Sequence, residues 1–364
     1  MPDPWGVSPW RWWDGHAWTV HVSGDQAKRR LPDWISLPII LSSLIAVPSF
    51  IALAVVSPIS VLLGIVPIVI VLPVMLWLDR VEPEPRPALI HAFLWGATVA
   101  VTVAGIVNTI VAIAGGEVLA AVVSAPLVEE AMKACGIIYA LRRKEIDGVM
   151  DGIVYAGWVA LGFAVIEDIS YFAQSPDGGV LAQTFVLRAL FGPFAHPLFT
   201  AWTGLAIGRA VSKGKPVFPN AVWGYVAAVA SHALWNGSLA GAAAWGDSGA
   251  VLLLTAIVVF VLLFFTSVIV LYRTRRAEER RLVQLVPWLA QRYGLPANEI
   301  ALFGNFATML SARRQLTKAD RRRFDAVHAA LARLAVLHDR PGPTDVGTEQ
   351  VLVAQLNRAR AGLH

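Results

Sequence analysis

The chain has 364 residues, of which 56% are hydrophobic and only 15% carry a charge. Soluble globular proteins carry about 25% charged residues, so this composition excludes a simple soluble enzyme, a disordered chain and a small disulfide-stapled secreted domain. The single cysteine, Cys135, has no partner for an internal disulfide. With a mean hydropathy of +0.60, the sequence predicts an all-α membrane protein, a polytopic helical bundle.

The net charge of +5 is unevenly distributed along the chain. Residues 1–30 have four Lys or Arg and three Asp or Glu, residues 31–272 have 10 and 14, and residues 273–364 have 16 and 8. We therefore expect a cytoplasmic N-terminal module (1–30), a transmembrane domain (31–272) and a basic, largely helical cytoplasmic tail (273–364). Basic and acidic residues alternate in this tail and match no recognition motif, so we expect it to lie near lipid and not to bind nucleic acid.

The N-terminal module is rich in tryptophan between residues 10 and 19. Asp14-Gly15 at its centre predicts a small strand–turn–strand unit, and the segment resembles a short Trp-rich module that often precedes membrane segments. In the tail, residues 321–337 have the apolar periodicity of a surface helix. Neither region contains a catalytic motif.

Eight segments are candidates to cross a bilayer, because a spanning helix needs about 20 mostly apolar residues. Only Ser57-Pro58 separates the first two, so seven spans are the alternative. Lys and Arg occupy every second connection, starting before the first span, and the intervening connections have none. Because such loops stay in the cytoplasm, eight spans with both termini inside are predicted. The expected spans are 35–56, 58–78, 88–113, 118–141, 149–173, 187–211, 217–240 and 249–272.

Polar side chains are concentrated in spans 4 to 7, where charges near the bilayer centre are costly and usually functional. They are Glu129, Glu130 and Lys133 in span 4, Glu167 in span 5, His196 in span 6, and His232 and Asn236 in span 7. At 1.5 Å of rise per residue, Glu129, Glu167, His196 and His232 lie about 18 to 24 Å from the predicted cytoplasmic ends. The sequence thus predicts one shared polar site, somewhat outside the midplane.

The alternative for any single pair is a polar network that only holds helices together. Two histidines with two or three carboxylates, however, form the set that water activation requires. Asp168 and Arg188 lie nearer the outer end, so we expect them to form an ion pair or to meet the interface. His91 and Asn108 are expected to be structural.

Four sequence elements resemble a known family. Residues 126–133 read Pro-Leu-Val-Glu-Glu-Ala-Met-Lys, residues 163–167 begin with Phe163 and end with Glu167, His196 is isolated, and residues 232–236 read His-Ala-Leu-Trp-Asn. These are similar to the Glu-Glu-x-x-Lys, Phe-x-x-x-Glu and later His-containing motifs of PrsW-type intramembrane proteases. Residues 79–85 and 92–96 also look like this family, and the resemblance covers about residues 60–240.

The resemblance implies an endopeptidase that cuts a membrane-anchored protein, such as an anti-sigma factor, near the outer face. It also places the chain in a wider group with CAAX prenyl endopeptidases and bacteriocin-related proteins. Their motifs are Glu-Glu-x-x-x-Arg, Phe-x-x-x-His and His-x-x-x-Asn. This sequence departs from them because Lys133 comes one residue earlier and Glu167 replaces a histidine.

Two mechanisms fit the candidate catalytic residues Glu129, Glu130, Glu167, His196, His232 and Asn236, with Lys133 and Phe163 as supporting residues. In the first, Glu129 is the general base with Glu130 as the next candidate, His196 helps to hold the water, and His232 with Asn236 stabilises the oxyanion. In the second, Zn²⁺ is bound by residues drawn from Glu129, Glu167, His196 and His232. The chain has no His-Glu-x-x-His, so the metal-free mechanism is favoured.

Two other classes of function remain open at the level of sequence. Buried Glu and His residues also serve as proton relays in transporters and proton-coupled carriers, although the chain shows no internal repeat of the kind many carriers have. The other class is a non-catalytic membrane scaffold.

Overall fold

The computed structural model describes residues 10–13, 18–23, 35–244, 246–339 and 346–361. These residues form two short strands and sixteen α-helices, so the predicted helical fold is confirmed. Strand β1 (Trp10–Trp13) pairs antiparallel with β2 (Trp18–Ser23), with Trp13 opposite Trp18. This pairing agrees with the predicted strand–turn–strand unit, whose turn at residues 14–17 lies outside the described residues.

The transmembrane domain follows the predicted spans closely. Its helices are α1 (Leu37–Val56), α2 (Pro58–Gly64), α3 (Val66–Leu78), α4 (Arg86–Leu94), α5 (Val101–Gly115), α6 (Glu117–Leu119), α7 (Ala125–Arg142), α8 (Val149–Ala173), α9 (Gly178–Phe185), α10 (Ala195–Ser212), α11 (Val217–Ala244) and α12 (Gly246–Tyr293). Short π-helical segments continue α4, α6 and α9 at Trp95–Ala100, Ala120–Ser124 and Val186–Phe191. A break at Ser57 separates the first two spans, and the sixth begins nine residues earlier than predicted.

Six helical stretches of the described chain are long and apolar enough to cross a membrane: Leu37–Val56, Pro58–Leu78, Arg86–Gly115, Val149–Ala173, Gly178–Ser212 and Ile257–Tyr293. The other two predicted spans are also helical, in α6–α7 and in α11, but they are not among these six stretches. Large apolar side chains such as Leu44, Ile113 and Phe218 are exposed on the outside, as expected for surfaces that face lipid. The chain is a multi-pass membrane protein, and eight spans remain a prediction.

Helix α8 lies at the centre of the bundle and is buried along most of its length. Two of its neighbours approach it backbone to backbone. A Cβ atom on Gly152 would lie 2.1 Å from the carbonyl oxygen of Gly204 in α10, and one on Gly162 would lie 2.0 Å from that of Phe93 in α4. Only glycine permits contacts this close, so the helices that carry Glu167 and His196 are held in fixed register.

Helix α12 does not end at the predicted boundary near residue 272 but runs on to Tyr293. It leads into α13 (Ala297–Phe303), α14 (Phe306–Gln315), α15 (Lys318–Asp339) and α16 (Val346–Arg360). The predicted surface helix is part of α15, whose apolar face, including Phe324 and Leu331, is buried in a second hydrophobic core. The tail is therefore a packed C-terminal module (residues 282–339 and 346–361).

The C-terminal module is joined to the transmembrane domain through the loop that follows α3. Val81 of this loop packs in the core of the module. Arg275 Nε donates a hydrogen bond to the Trp77 carbonyl oxygen at 3.0 Å, and its guanidinium lies over the rings of Trp77 and Phe306 at 4.4 and 5.5 Å. Because α12 is continuous through this joint, the module and the membrane helices share one rigid element.

Candidate active site

Helix α7 places three charged side chains inside the bundle. Glu129, Glu130 and Lys133 are all buried, and Lys133 Nζ lies 2.9 Å from Glu130 Oε1 and 3.4 Å from Glu129 Oε2. The ammonium group also lies 4.0 Å from the centre of the Phe163 ring. One ammonium group thus forms ion pairs with two carboxylates and lies over an aromatic ring. These contacts reduce the free-energy cost of burying the three charges.

Glu130 is the more tightly held of the two carboxylates. Besides Lys133, it accepts hydrogen bonds from Thr200 Oγ1 at 2.8 Å and from His232 Nδ1 at 3.2 Å. Since an ionised carboxylate can only accept, Nδ1 of His232 carries a proton. The neutral form of the ring then has its lone pair on Nε2, which is 3.9 Å from Glu129 Oε2.

Glu129 has the longer contacts and faces open space. Its Oε1 lies 3.5 Å from Asn108 Nδ2 and its Oε2 lies 3.4 Å from Lys133 Nζ. It lines a cavity of about 70 Å³ together with Glu167, His196 and His232, whereas Glu130 does not reach this cavity. A polar cavity of this size has room for a few water molecules, and Glu129 has lone pairs available to bind one.

His196 is held from both sides. Its Nε2 lies 2.8 Å from Glu167 Oε2, and its Nδ1 lies 3.0 Å from Lys133 Nζ. A carboxylate accepts and an ammonium donates, so the neutral ring carries its proton on Nε2. Both ring nitrogens are thus engaged by protein groups, which links the charged cluster of α7 to Glu167 on α8.

Arg188 also lines the cavity and pairs with both acidic residues of α8. It donates to Glu167, and its Nε lies 2.5 Å from Asp168 Oδ1, which is the ion pair expected from the sequence. Its guanidinium packs on the ring of Tyr171 at 4.0 Å. Glu167 therefore accepts hydrogen bonds from Arg188 and His196. It does not belong to the cluster of possible metal ligands in this cavity, which consists of Glu129, His196 and His232.

Two asparagines have contacts that the sequence did not reveal. Asn108, which the sequence predicts to be structural, contacts Glu129 and accepts from Ser124 Oγ at 2.8 Å. Its sequence signal was a polar amide inside a span, but its partner lies 21 residues further on, so local spacing could not identify it. Asn236 lines the cavity, and its Nδ2 donates one of its two N–H groups to the Ala121 carbonyl oxygen at 2.8 Å. Its role in stabilising an oxyanion stays a prediction.

The contact of Asn236 follows from the backbone of the segment that precedes α7. Ala121 lies in the π-helical segment Ala120–Ser124, where each carbonyl bonds the amide five residues later. For Ala121 that residue is Pro126, which has no N–H. The freed carbonyl oxygen needs a donor, and Asn236 supplies it.

The donor atoms of Glu129, His196 and His232 all lie within 4.8 Å of one another. One carboxylate oxygen and two imidazole nitrogens match the ligand set of catalytic Zn²⁺ sites in type and number. His232 also donates its other ring N–H to a carboxylate, as metal-binding histidines usually do. In the observed arrangement both nitrogens of His196 are engaged, so binding a metal would require it to exchange Lys133 or Glu167 for the ion.

Comparison with known proteins gives one family. Residues 84–271 match the family described as PrsW family intramembrane metalloprotease, and all the site residues lie within this range. Three relatives are each named Protease PrsW. The one from Clostridioides difficile is 34% identical over 164 residues, 42% of this chain and 67% of the relative. The one from Geobacillus kaustophilus is 30% identical over 201 residues, which are 48% of this chain and 87% of the relative. The one from Oceanobacillus iheyensis is 32% identical over 105 residues, which are 29% of this chain and 46% of the relative. No solved structure matches.

Proposed function

Because the chain belongs to the PrsW family of intramembrane proteases, we propose that it cuts a membrane-anchored protein at the cavity lined by Glu129, His196 and His232. The observation that carries this proposal is that Glu129, a carboxylate with only long hydrogen bonds, lines a small cavity with room for a few water molecules. A network that only held helices together would leave no such space.

In the proposed reaction, Glu129 removes a proton from a water molecule in the cavity as the water oxygen attacks the carbonyl carbon of the scissile bond. The lone pair on His232 Nε2 accepts the second hydrogen of the water and orients it. Glu129 then passes its proton to the leaving amine nitrogen as the C–N bond breaks. Glu129 is therefore a carboxylate before and after each turnover.

We assign stabilisation of the oxyanion to Arg188, together with the second N–H of Asn236, whose first N–H is donated to Ala121. Arg188 lines the cavity and has five N–H donors, of which Glu167 and Asp168 use two. Positively charged donors near a developing negative charge lower the barrier for acyl transfer. When Zn²⁺ is bound, Glu129, His196 and His232 would hold it, and the ion would polarise the scissile carbonyl.

The proposed substrate is an anti-sigma-factor-like membrane protein cut near its outer face, by likeness to the family. The proposed orientation has both termini in the cytoplasm, supported by the Lys and Arg residues of alternate connections. This places the outer opening of the cavity beside Arg188 and Tyr171.

Cleavage by the reconstituted protein tests the proposal. Full-length protein in liposomes is mixed with a membrane-anchored substrate tagged on both sides, with and without a zinc chelator. Glu129→Gln keeps the size of the side chain but removes the base, so the rate should fall about 10²- to 10⁴-fold. Arg188→Lys should lower the rate without abolishing it. Glu117→Gln is the matched control, because Glu117 is exposed at the outer start of the same helical segment.

The outcomes separate the alternatives. Near-normal cleavage by folded Glu129→Gln protein would remove Glu129 from the role of base. A carrier would show no cleavage even in the wild type, and a polar clamp would show loss of thermal stability with the rate preserved. Loss of activity with the chelator, restored by Zn²⁺, would show that the metal takes part.

A further inference from the structure

A second group of carboxylates lies at the opposite end of α8 from the candidate active site. Glu82 comes from the loop between α3 and α4, Asp151 from the first turn of α8, and Glu278 from α12. Oxygen atoms of the three side chains all lie within 4.8 Å of one another. Asp151 and Glu167 are 16 residues apart on one helix, which places this group about 24 Å from the cavity.

Two of the three carboxylates have an oxygen that is buried without a partner. Glu82 is 6% exposed, and no group in the described part of the chain hydrogen bonds its Oε2 or that of Glu278. The neighbouring Glu84 differs, since it accepts from Tyr155 Oη at 3.0 Å and lies 3.7 Å from Arg333 Nη2. The chain thus supplies donors to Glu84 but leaves these two oxygens of Glu82 and Glu278 without any.

The charges of the group repel one another. Burying unpaired carboxylates is costly unless a cation or hydrogen-bond donors compensate. An arrangement with three inward-facing carboxylates therefore calls for a positive charge between them.

Space for water adjoins the three carboxylates. Glu82 and Glu278 line a cavity of about 420 Å³, which is bordered both by basic residues and by acidic ones: Arg209, Lys213, Arg281, Asp147 and Asp339. This space can hold the water molecules that complete the coordination of a small cation. The three ligands are all carboxylates, the donors that Mg²⁺, Ca²⁺ and Mn²⁺ prefer, whereas the candidate active site offers two imidazoles, which suit Zn²⁺.

We propose that Glu82, Asp151 and Glu278 bind a hard divalent cation, with Mg²⁺ or Ca²⁺ as the physiological ion and water from the adjoining cavity completing its shell. The ion joins three elements: the loop after α3, the start of α8, and the part of α12 that enters the C-terminal module. Helix α8 carries Glu167 near its other end. The site therefore fastens this module to the helix that forms one wall of the candidate active site.

Binding of Mn²⁺ to the full-length protein tests the proposal, because bound Mn²⁺ can be counted by electron paramagnetic resonance. One Mn²⁺ should bind to the wild type and be displaced by Mg²⁺ or Ca²⁺. Glu82→Gln and Glu278→Gln should each weaken binding at least about tenfold. Glu279→Gln is the matched control, since Glu279 is adjacent on α12 but pairs with Arg275 and Arg276. Asp151 is left unchanged, because it accepts from the amides of Asp147 and Gly148 at the start of α8.

Two further measurements separate this site from the candidate active site and from loss of fold. The double variant His196→Ala/His232→Ala should keep the Mn²⁺ site, and Mg²⁺ should raise the melting temperature of the wild type but not that of Glu278→Gln. Absence of a stoichiometric Mn²⁺, binding as tight as in the wild type in both glutamine variants, or loss of the site in the histidine double variant would each overturn the proposal. If the three carboxylates share protons and bind no cation, no stoichiometric Mn²⁺ would be found.

Discussion

Oε1 of Glu130 lies 3.2 Å from Nδ1 of His232, and this contact determines which nitrogen of the imidazole faces Glu129. The two residues are 102 positions apart, on α7 and α11. Phe199 of α10 stacks on the same ring at 5.0 Å, so the orientation of the imidazole is fixed by three helices. In the proposed reaction Glu130 therefore positions His232, and Glu129 beside it is the carboxylate that lines the cavity.

Replacing Glu130 by glutamine should lower the rate of cleavage without weakening substrate binding. The amide can present its NH₂ group to His232 and no longer carries the charge that holds Lys133. Loss of a carboxylate that orients a functional histidine typically costs about 10- to 100-fold. We expect this loss in kcat with KM unchanged, because Glu130 does not line the cavity.

Thr200→Val is the control for this change, since it removes one hydrogen-bond donor to Glu130 and leaves His232 and Lys133 in place. Its effect on kcat should be clearly smaller. A rise in KM as the main effect of Glu130→Gln would mean that Glu130 contacts the substrate.

Adding a methyl group at Gly152 should destabilise the bundle. The new Cβ would lie 2.1 Å from the carbonyl oxygen of Gly204, so α8 and α10 must separate. Overpacking of this kind costs about 1 to 3 kcal/mol, and thermal unfolding in detergent would show it as a lower midpoint. Gly105→Ala is the control, because nothing lies within 4 Å of its Cβ position, and it should be neutral or slightly stabilising. Equal midpoints for the two variants would contradict the close packing of α8 on α10.

The C-terminal module should lose stability as the pH falls from 6.5 towards 4. His328 is buried and its Nε2 has no partner in the described residues, and burial lowers its pKa from 6.5 to about 4. Between these values the unfolded chain binds a proton that the folded module does not. The stability contributed by the neutral ring is thus complete above pH 6.5 and is lost as the pH falls, by about 3 kcal/mol at pH 4.

Hydrogen exchange of α15, corrected for intrinsic exchange rates, measures this change in the intact protein. In His328→Leu protein the dependence between pH 6.5 and 4 should be weaker, and α8 in the same sample serves as an internal reference. If wild type and variant respond alike, His328 is not the group that senses pH.

Reporter fusions should place residues 116, 177 and 245 outside and residues 144 and 214 in the cytoplasm. The expectation follows from Lys and Arg residues at 142–144 and at 209–215, whereas residues 115–116, 175–179 and 241–249 have none. A cytoplasmic signal at residue 177 would reverse the orientation of α8 and of the α9–α10 segment.

The part of this protein that its sequence alone determined is the set of helices and the residue types of the polar site. Apolar length predicts a span locally, and a charged residue inside a span is costly wherever the neighbouring helices lie, so both can be seen one segment at a time. This is why the helix limits agree closely, why Asp168 and Arg188 could be paired, and why Glu129, Glu167, His196 and His232 could be assigned to one level.

Only the tertiary structure decided which of these side chains line the cavity and which groups they contact. Whether Glu129 or Glu130 meets the cavity depends on the rotation of α7 against α10 and α11. The contacts of Asn108 and Asn236 depend on a neighbouring carboxylate and on a carbonyl freed by Pro126, none of which is visible from spacing within one helix. The group formed by Glu82, Asp151 and Glu278 brings together residues up to 196 positions apart. Such groupings arise from backbone contacts like those of Gly152 with Gly204, because packing of whole helices fixes distances that local periodicity leaves free.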